Sequence, residues 1–222
     1  MNEQKILIWD IPTRLFHWLL AASIGGAFLT AESERLRDVH ALLGYTAGGL
    51  IAFRLIWGLV GSRYARFRSF LYSPGELIAY MRSLATRSPR HYLGHNPLGS
   101  LAVFALLGLS LAAVVSGHAV LVERGGDWME ELHEGVAFAI LTLVGVHIVG
   151  VLTSSVLHGE NLIGSMITGR KRGAPEQGIG RPRALLAAAL LTALTAFWVW
   201  YPSAGAAPVS PAGHQRGDDV GD

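Results

Sequence analysis

Five stretches of about twenty predominantly apolar residues divide this chain, and they leave it few folds to choose from. Hydrocarbon offers no hydrogen-bond partner to a bare peptide group. A segment of that length therefore crosses a bilayer as a helix that satisfies its own backbone. With 51% hydrophobic and 15% charged residues, the chain is well beyond the apolar content of a soluble domain. The stretches fall at residues 14–30, 40–60, 97–120, 132–156 and 184–201. The expected fold is all-α: an integral membrane four-helix bundle with a fifth, C-terminal transmembrane helix. Local signals mark the boundaries. Asp10 is placed to cap the first helix, with Pro12 in its first turn, where a missing N–H costs little. Ser73-Pro74-Gly75-Glu76 has the spacing of a capping box, and Leu77, Met81, Leu84 and Ala85 follow at helical intervals. That predicts a short amphipathic helix lying on the inner surface or packed on the bundle. His95-Asn96-Pro97 opens the third stretch, and an acidic loop over residues 123–131 precedes the fourth.

The fourth stretch carries two histidines, His133 and His147, and an imidazole in hydrocarbon needs a reason to be there. Fourteen residues separate them, so both rings lie within roughly 40° of one helix face and about 21 Å apart along its axis. Two more, His17 and His40, sit near the ends of the first and second stretches. His40 and His133 each enter from the same membrane surface, whereas His17 enters from the opposite one and His147 lies deep toward it. Depth therefore pairs His40 with His133 and His17 with His147. Two facing imidazoles from different helices are the ligand set of a low-spin b haem, and two such pairs predict two bis-histidine b haems, one outer and one inner. No cysteine is present, so this chain can supply neither a c-type haem attachment nor an iron–sulfur cluster.

Arg54 follows His40 by the same fourteen-residue interval, which puts it on the bundle side at the inner level. A buried arginine needs an anion, and a haem propionate would serve; a guanidinium snorkelling from the helix end is the alternative. Gly44, one turn from His40, leaves room for a flat macrocycle, and with Gly48 and Gly49 it equally suits close helix packing. Of the remaining histidines, His118 is the strongest rival ligand. His95 reads as an interfacial residue at a helix entry, and His91, His158 and His214 read as solvated surface.

If the amino end is cytoplasmic, thirteen of the 18 lysines and arginines fall on the inner side and only Arg35, Arg37, Arg124 and Arg216 on the outer. That asymmetry predicts a multi-pass membrane protein with its N-terminus cytoplasmic. Because the arginines flank spans rather than forming one patch, nucleic acid is not an expected partner. The expected organisation is a dihaem transmembrane domain over 1–172, a basic cytoplasmic linker over 173–183, the additional helix over 184–201 and a disordered exoplasmic tail over 202–222.

Several strings then resemble one family. They are Trp9-Asp10-Ile11-Pro12-Thr13-Arg14-Leu15-Phe16-His17-Trp18, His40 through Gly44-Tyr45, Phe53-Arg54-Leu55-Ile56-Trp57-Gly58 and Gly94-His95-Asn96-Pro97-Leu98-Gly99. His133, His147, Glu160-Asn161-Leu162 and Met166-Ile167-Thr168-Gly169-Arg170-Lys171 complete the set. Together they resemble bacterial cytochrome b561 and the b-type cytochrome subunits of nickel–iron hydrogenases over about residues 5–172. The resemblance implies a four-helix core with two b haems, carried onto His17, His40, His133 and His147. It also implies electron transfer between the quinone pool and a partner, commonly a periplasmic redox protein: a c-type cytochrome, or dehydrogenase or hydrogenase subunits. A stand-alone superoxide:quinone oxidoreductase is the second reading. The outer loops hold Glu32, Glu34, Asp38, Glu123, Asp127, Glu130 and Glu131 against three arginines, a charge balance better suited to a basic partner than to an anion. A histidine-based metal transporter is the reading from another class, and two histidine levels about 20 Å apart argue against one tetrahedral site.

Overall fold

The computed structural model describes residues 4–86 and 90–205. Its long elements are α1 (Ile11–Thr30), α2 (Arg37–Val60), α4 (Pro97–Leu121), α5 (Asp127–His158) and α7 (Ala184–Gly205). Between them lie the shorter α3 (Pro74–Ala85) and α6 (Leu162–Thr168), and a two-stranded ribbon of β1 (Gln4–Leu7) and β2 (Arg170–Gly173). Among the described residues, four helices are long and apolar enough to cross a membrane: Glu34–Val60, Pro97–Leu121, Asp127–His158 and Ala184–Pro202. The first expected span is a helix of 20 residues but is not among those four. Its Thr13, Arg14, His17 and Ser23 lower its hydropathy, and Thr13 and Ser23 are buried.

The helix starts follow the local chemistry. The Asp10 carboxylate accepts from the Thr13 N–H at 2.8 Å and caps α1, and Asn96 does the same for α4 through Gly99. Both halves of the Ser73–Glu76 capping box form at α3. That helix buries Tyr80 against the ring of Tyr92, so it is seated on the protein through one aromatic side chain. The acidic loop expected over 123–131 is shorter than its composition suggests. Asp127 through Glu131 form the first turn of α5, where carboxylates face the positive end of the helix dipole.

Phe16, Leu50, Ile51 and Leu107 form the apolar core, with Leu190 and Leu194 of α7 packed against it. It therefore joins α1, α2, α4 and α7. Helix α5 runs along α4 but makes no comparable backbone approach to α1 or α2. Many of its side chains, among them Phe138, Val146, Val149 and Val156, are exposed. In a chain that crosses a membrane such faces meet lipid or a cofactor.

The basic linker expected over 173–183 is stitched to the amino end. β1 and β2 pair antiparallel from Gln4 opposite Gly173 to Leu7 opposite Arg170. Ile179 N–H donates to Leu7 O, and Ile11 N–H to Pro182 O. A polar cap thus closes one end of the bundle. Lys171 holds it: its side chain is 4% exposed, and its Nζ donates to Glu160 at 2.8 Å and to the Tyr92 carbonyl at 3.1 Å. His91, its side chain 48% exposed as a surface residue, reaches the same carboxylate at 3.2 Å. Burial pushes the Glu160 carboxyl up, but the Lys171 hydrogen bond and charge, with His91, outweigh it, and its pKa falls below 4.5. A depressed carboxylate contributes stability that is present above its unfolded value and lost as pH falls through its folded value. Thermal unfolding in detergent should accordingly weaken below about pH 4.5. Glu160→Gln should flatten that acid limb and cost roughly 2–3 kcal/mol at neutral pH, by leaving a buried ammonium short of its counter-ion. An unaltered acid limb in the variant would remove Glu160 from this role.

The predicted tail over 202–222 lies mostly outside the described residues, and α7 continues through Pro202.

Candidate functional site

The clearest geometry lies where α2 and α5 face each other. His40 and His133 stand with ring centroids 6.1 Å apart and planes at 80°. Each ring is oriented through Nδ1. In His40 it meets the Ala27 carbonyl of α1 at 2.8 Å, and in His133 the Ser116 hydroxyl of α4 at 3.1 Å. Ser116 already donates to Ala112 O at 2.8 Å, so its oxygen accepts from His133. With the proton on Nδ1 in both rings, each Nε2 keeps its lone pair. Gly117 permits this placement, because a Cβ there would lie 2.8 Å from the His133 ring.

This arrangement fits a shared metal. An imidazole–metal bond is about 2.0 Å and a ring centroid lies about 1.1 Å behind its nitrogen, so two rings on opposite sides of one ion would have centroids about 6 Å apart. The glycines nearby divide by role. Cβ atoms at Gly26 and Gly48 would press on Leu43 and Val114 at 2.9 and 3.0 Å, so these two serve helix packing. A Cβ at Gly44 or Gly49 would meet nothing within 4 Å, which leaves open the flank of α2 one turn from His40.

The second pair gathers toward the polar cap. His17 and His147 lie within electrostatic reach of each other, and the His17 Nδ1 is buried without a hydrogen-bond partner. Arg54 is 3% exposed, which excludes the snorkelling alternative. Its guanidinium lies 4.7 Å from the Phe67 ring centroid, with Phe70 and Phe16 at about 6 Å, and its Nη1 has no hydrogen-bond partner. Asp10 is an electrostatic neighbour, but its carboxylate is already committed to Thr13 N–H and to Trp57 Nε1 at 3.1 Å.

Sequence reasoning missed His95 here. Its ring packs between Trp9 at 4.8 Å and Phe70 at 4.5 Å, and its Nδ1 is buried and unpartnered. Arg54, His147, His17 and Lys171 all act on it electrostatically. Burial first, and those neighbours after it, hold its pKa down at about 3, so the ring is neutral. Its place beside a helix-breaking Asn96-Pro97 was the available signal, and it was read as an interface. His118, the rival ligand, stands elsewhere, bonded through Nδ1 to the Tyr45 hydroxyl at 2.7 Å. His158 is half-buried and caps its own helix through Ser154 O, and His214 lies outside the described residues.

The sequence profile of prokaryotic cytochrome b561 matches residues 8–169, well over half of the chain. The chain belongs to the prokaryotic cytochrome b561 family. Its curated relatives include a probable Ni/Fe-hydrogenase B-type cytochrome subunit of Bradyrhizobium diazoefficiens, 25% identical over 219 residues, covering 78% of this chain and 88% of the relative. A protein of the same description from Rhizobium leguminosarum bv. viciae is 24% identical, covering 77% and 90%. A probable Ni/Fe-hydrogenase 1 B-type cytochrome subunit of Escherichia coli strain K12 is 24% identical, covering 55% of this chain and 63% of that one. No solved structure matches. Membership of the cytochrome b561 family implies b-type haem and electron transport in a multi-pass membrane protein. The family match ends at residue 169, before α7 begins, and α7 joins the cytochrome core through Trp198 Nε1, which donates to Thr46 Oγ1 at 2.9 Å.

Proposed function

We propose that this protein is a dihaem b-type cytochrome of the bacterial cytoplasmic membrane, carrying electrons between the quinone pool and a redox partner on the exoplasmic side. His40 and His133 hold the outer haem and His17 and His147 the inner one, with Gly44 leaving space at the outer site. Arg54 supplies a cation for an inner propionate. The observation that carries this reading is the His40–His133 pair: 6.1 Å between centroids, near-perpendicular planes, and both Nδ1 atoms engaged.

Haem, when bound, supplies one-electron exchange at its iron. The chain does the rest. Ala27 O and Ser116 Oγ fix the tautomer and rotation of the outer imidazoles and raise their basicity as ligands. The Phe16, Phe67 and Phe70 rings keep water from the inner cluster, and Arg54 and His95 turn unpartnered nitrogens into it. A guanidinium so enclosed is costly unless an anion reaches it, and a carboxylate of the cofactor answers that requirement.

The relatives' names support a hydrogenase or comparable dehydrogenase as the partner, and the acidic outer loops support a basic one such as a c-type cytochrome. Against a metal transporter, no three His, Cys, Asp or Glu side chains gather as a metal site among the described residues. The test is a redox titration of the purified protein, followed at the Soret and α bands. Two one-electron b-type components at about two haems per chain are expected. A colourless preparation, or a single component that the His147→Ala variant retains in full, would overturn the reading.

A further inference from the structure

The polar cap contains an open-mouthed cavity of about 710 Å³, within the range of small-ligand sites. Three segments distant in sequence build it: residues 63–72, 91–94 and 172–177. Its walls are aromatic and fixed. Tyr64 donates its hydroxyl to Gln177 O at 2.9 Å, and Tyr72 donates to His95 O at 2.8 Å. The Tyr92 ring meets Tyr72 edge-on at 5.6 Å. The phenol groups of Tyr64 and Tyr72 are thus spent on holding the segments together, and with Tyr92 these residues line the cavity.

The charge in this cavity is unbalanced. Arg63 and Arg172 line it, and neither has an ion-pair partner among the described residues. Arg63 is exposed, with its guanidinium 5.4 Å from the ring centroid of its neighbour Tyr64. Arg172 stands directly opposite Lys5 in the β1–β2 ladder, and two like charges so placed repel. The third cationic candidate, His91, is committed to Glu160. Glu176 is the acidic residue of the lining, set against both guanidiniums. Lys5 and Arg172 on the ribbon, with Arg63 in the same lining as Arg172, thus concentrate positive charge about this cavity.

We propose that this cavity binds a phosphate-bearing ligand, with the phosphate held between Arg63 and Arg172 and the organic portion against the tyrosine rings. Guanidinium groups suit phosphate because their paired N–H donors match its oxygens. The phosphate could come from an anionic phospholipid headgroup at this membrane surface or from a soluble phosphomonoester. The proposal does not depend on the haem assignment, since its test reads binding alone.

Full-length protein in neutral detergent is incubated with phosphatidylglycerol or phosphatidylcholine and examined by native mass spectrometry. In parallel it is titrated calorimetrically with glycerol 3-phosphate. Retention of phosphatidylglycerol over phosphatidylcholine identifies the lipid source, and binding of glycerol 3-phosphate the soluble one. In either case R63Q/R172Q should bind about ten-fold more weakly, while Arg181→Gln, outside the lining, should bind as the parent does. The single variants R63Q and R172Q, each weakening binding by a smaller factor, serve if the double variant does not fold. Binding of neither probe, equal retention of both lipids without glycerol 3-phosphate binding, or undiminished binding by the variants would overturn the proposal.

Discussion

His133→Ala should leave the purified protein with about half its haem, the lost half being a single spectroscopic component. An iron deprived of one imidazole keeps only the other, and the Ser116 hydroxyl beside the vacated place is a poor replacement for an imidazole ligand. The remaining pair should survive, because His147 lies about 21 Å further along the same helix. His40→Ala should remove the same component, and the double variant should lose no more than either single one, since both residues serve one site. Ser116→Ala is the finer probe. It should retain haem and shift the outer midpoint potential, because Nδ1 of His133 loses its acceptor. Haem content would be read by pyridine haemochrome and the components by redox titration. Retention of both components in His133→Ala and His40→Ala alike would end the assignment.

Arg54→Leu should act in opposite directions on the two forms of the protein. With haem bound, removing a nearby positive charge stabilises the ferric state, so the inner midpoint potential should fall. By Coulomb's law a unit charge roughly 8 Å from a redox centre at an effective dielectric of about 20 interacts by on the order of 2 kcal/mol, which sets the scale of the shift at many tens of millivolts. In haem-free protein the same replacement should raise the unfolding temperature. There the guanidinium is 3% exposed and its Nη1 lacks a hydrogen-bond partner, and leucine removes that cost. A guanidinium whose role is to hold the helices together would instead lower stability in both forms. The outer potential serves as the internal control and should hardly move.

Those two expectations rest on parts of the molecule that were unequally legible. Helix positions, the Asp10 cap and the Ser73–Glu76 box could be read directly, because hydropathy over twenty residues and side-chain-to-backbone bonds three residues apart are local properties. The matching of His40 with His133 was equally legible, since residue spacing along a helix converts straight into depth. Partnership at the inner cluster was not. His95 looked like a helix-entry residue until the chain folded it against Trp9 and Phe70, beside Arg54. Nor did composition indicate that residues 173–183 would be stitched to the amino terminus, because a basic, glycine-containing stretch carries no mark of the strand that will pair with it.

What this chain determined through its sequence alone is a set of apolar helices carrying imidazoles at two depths, which follows from the length of apolar runs and the rise per residue. Only the tertiary structure decided which groups hold the Nδ1 atoms of His40 and His133, which guanidinium is enclosed, and how the two ends of the domain close into one cap. Those outcomes depend on contacts such as Tyr64 with Gln177 and Arg14 with the Ile167 carbonyl, made between segments more than a hundred residues apart. No local pattern encodes such contacts; they arise when helices of fixed length and shape find the packing that buries their small and polar faces together.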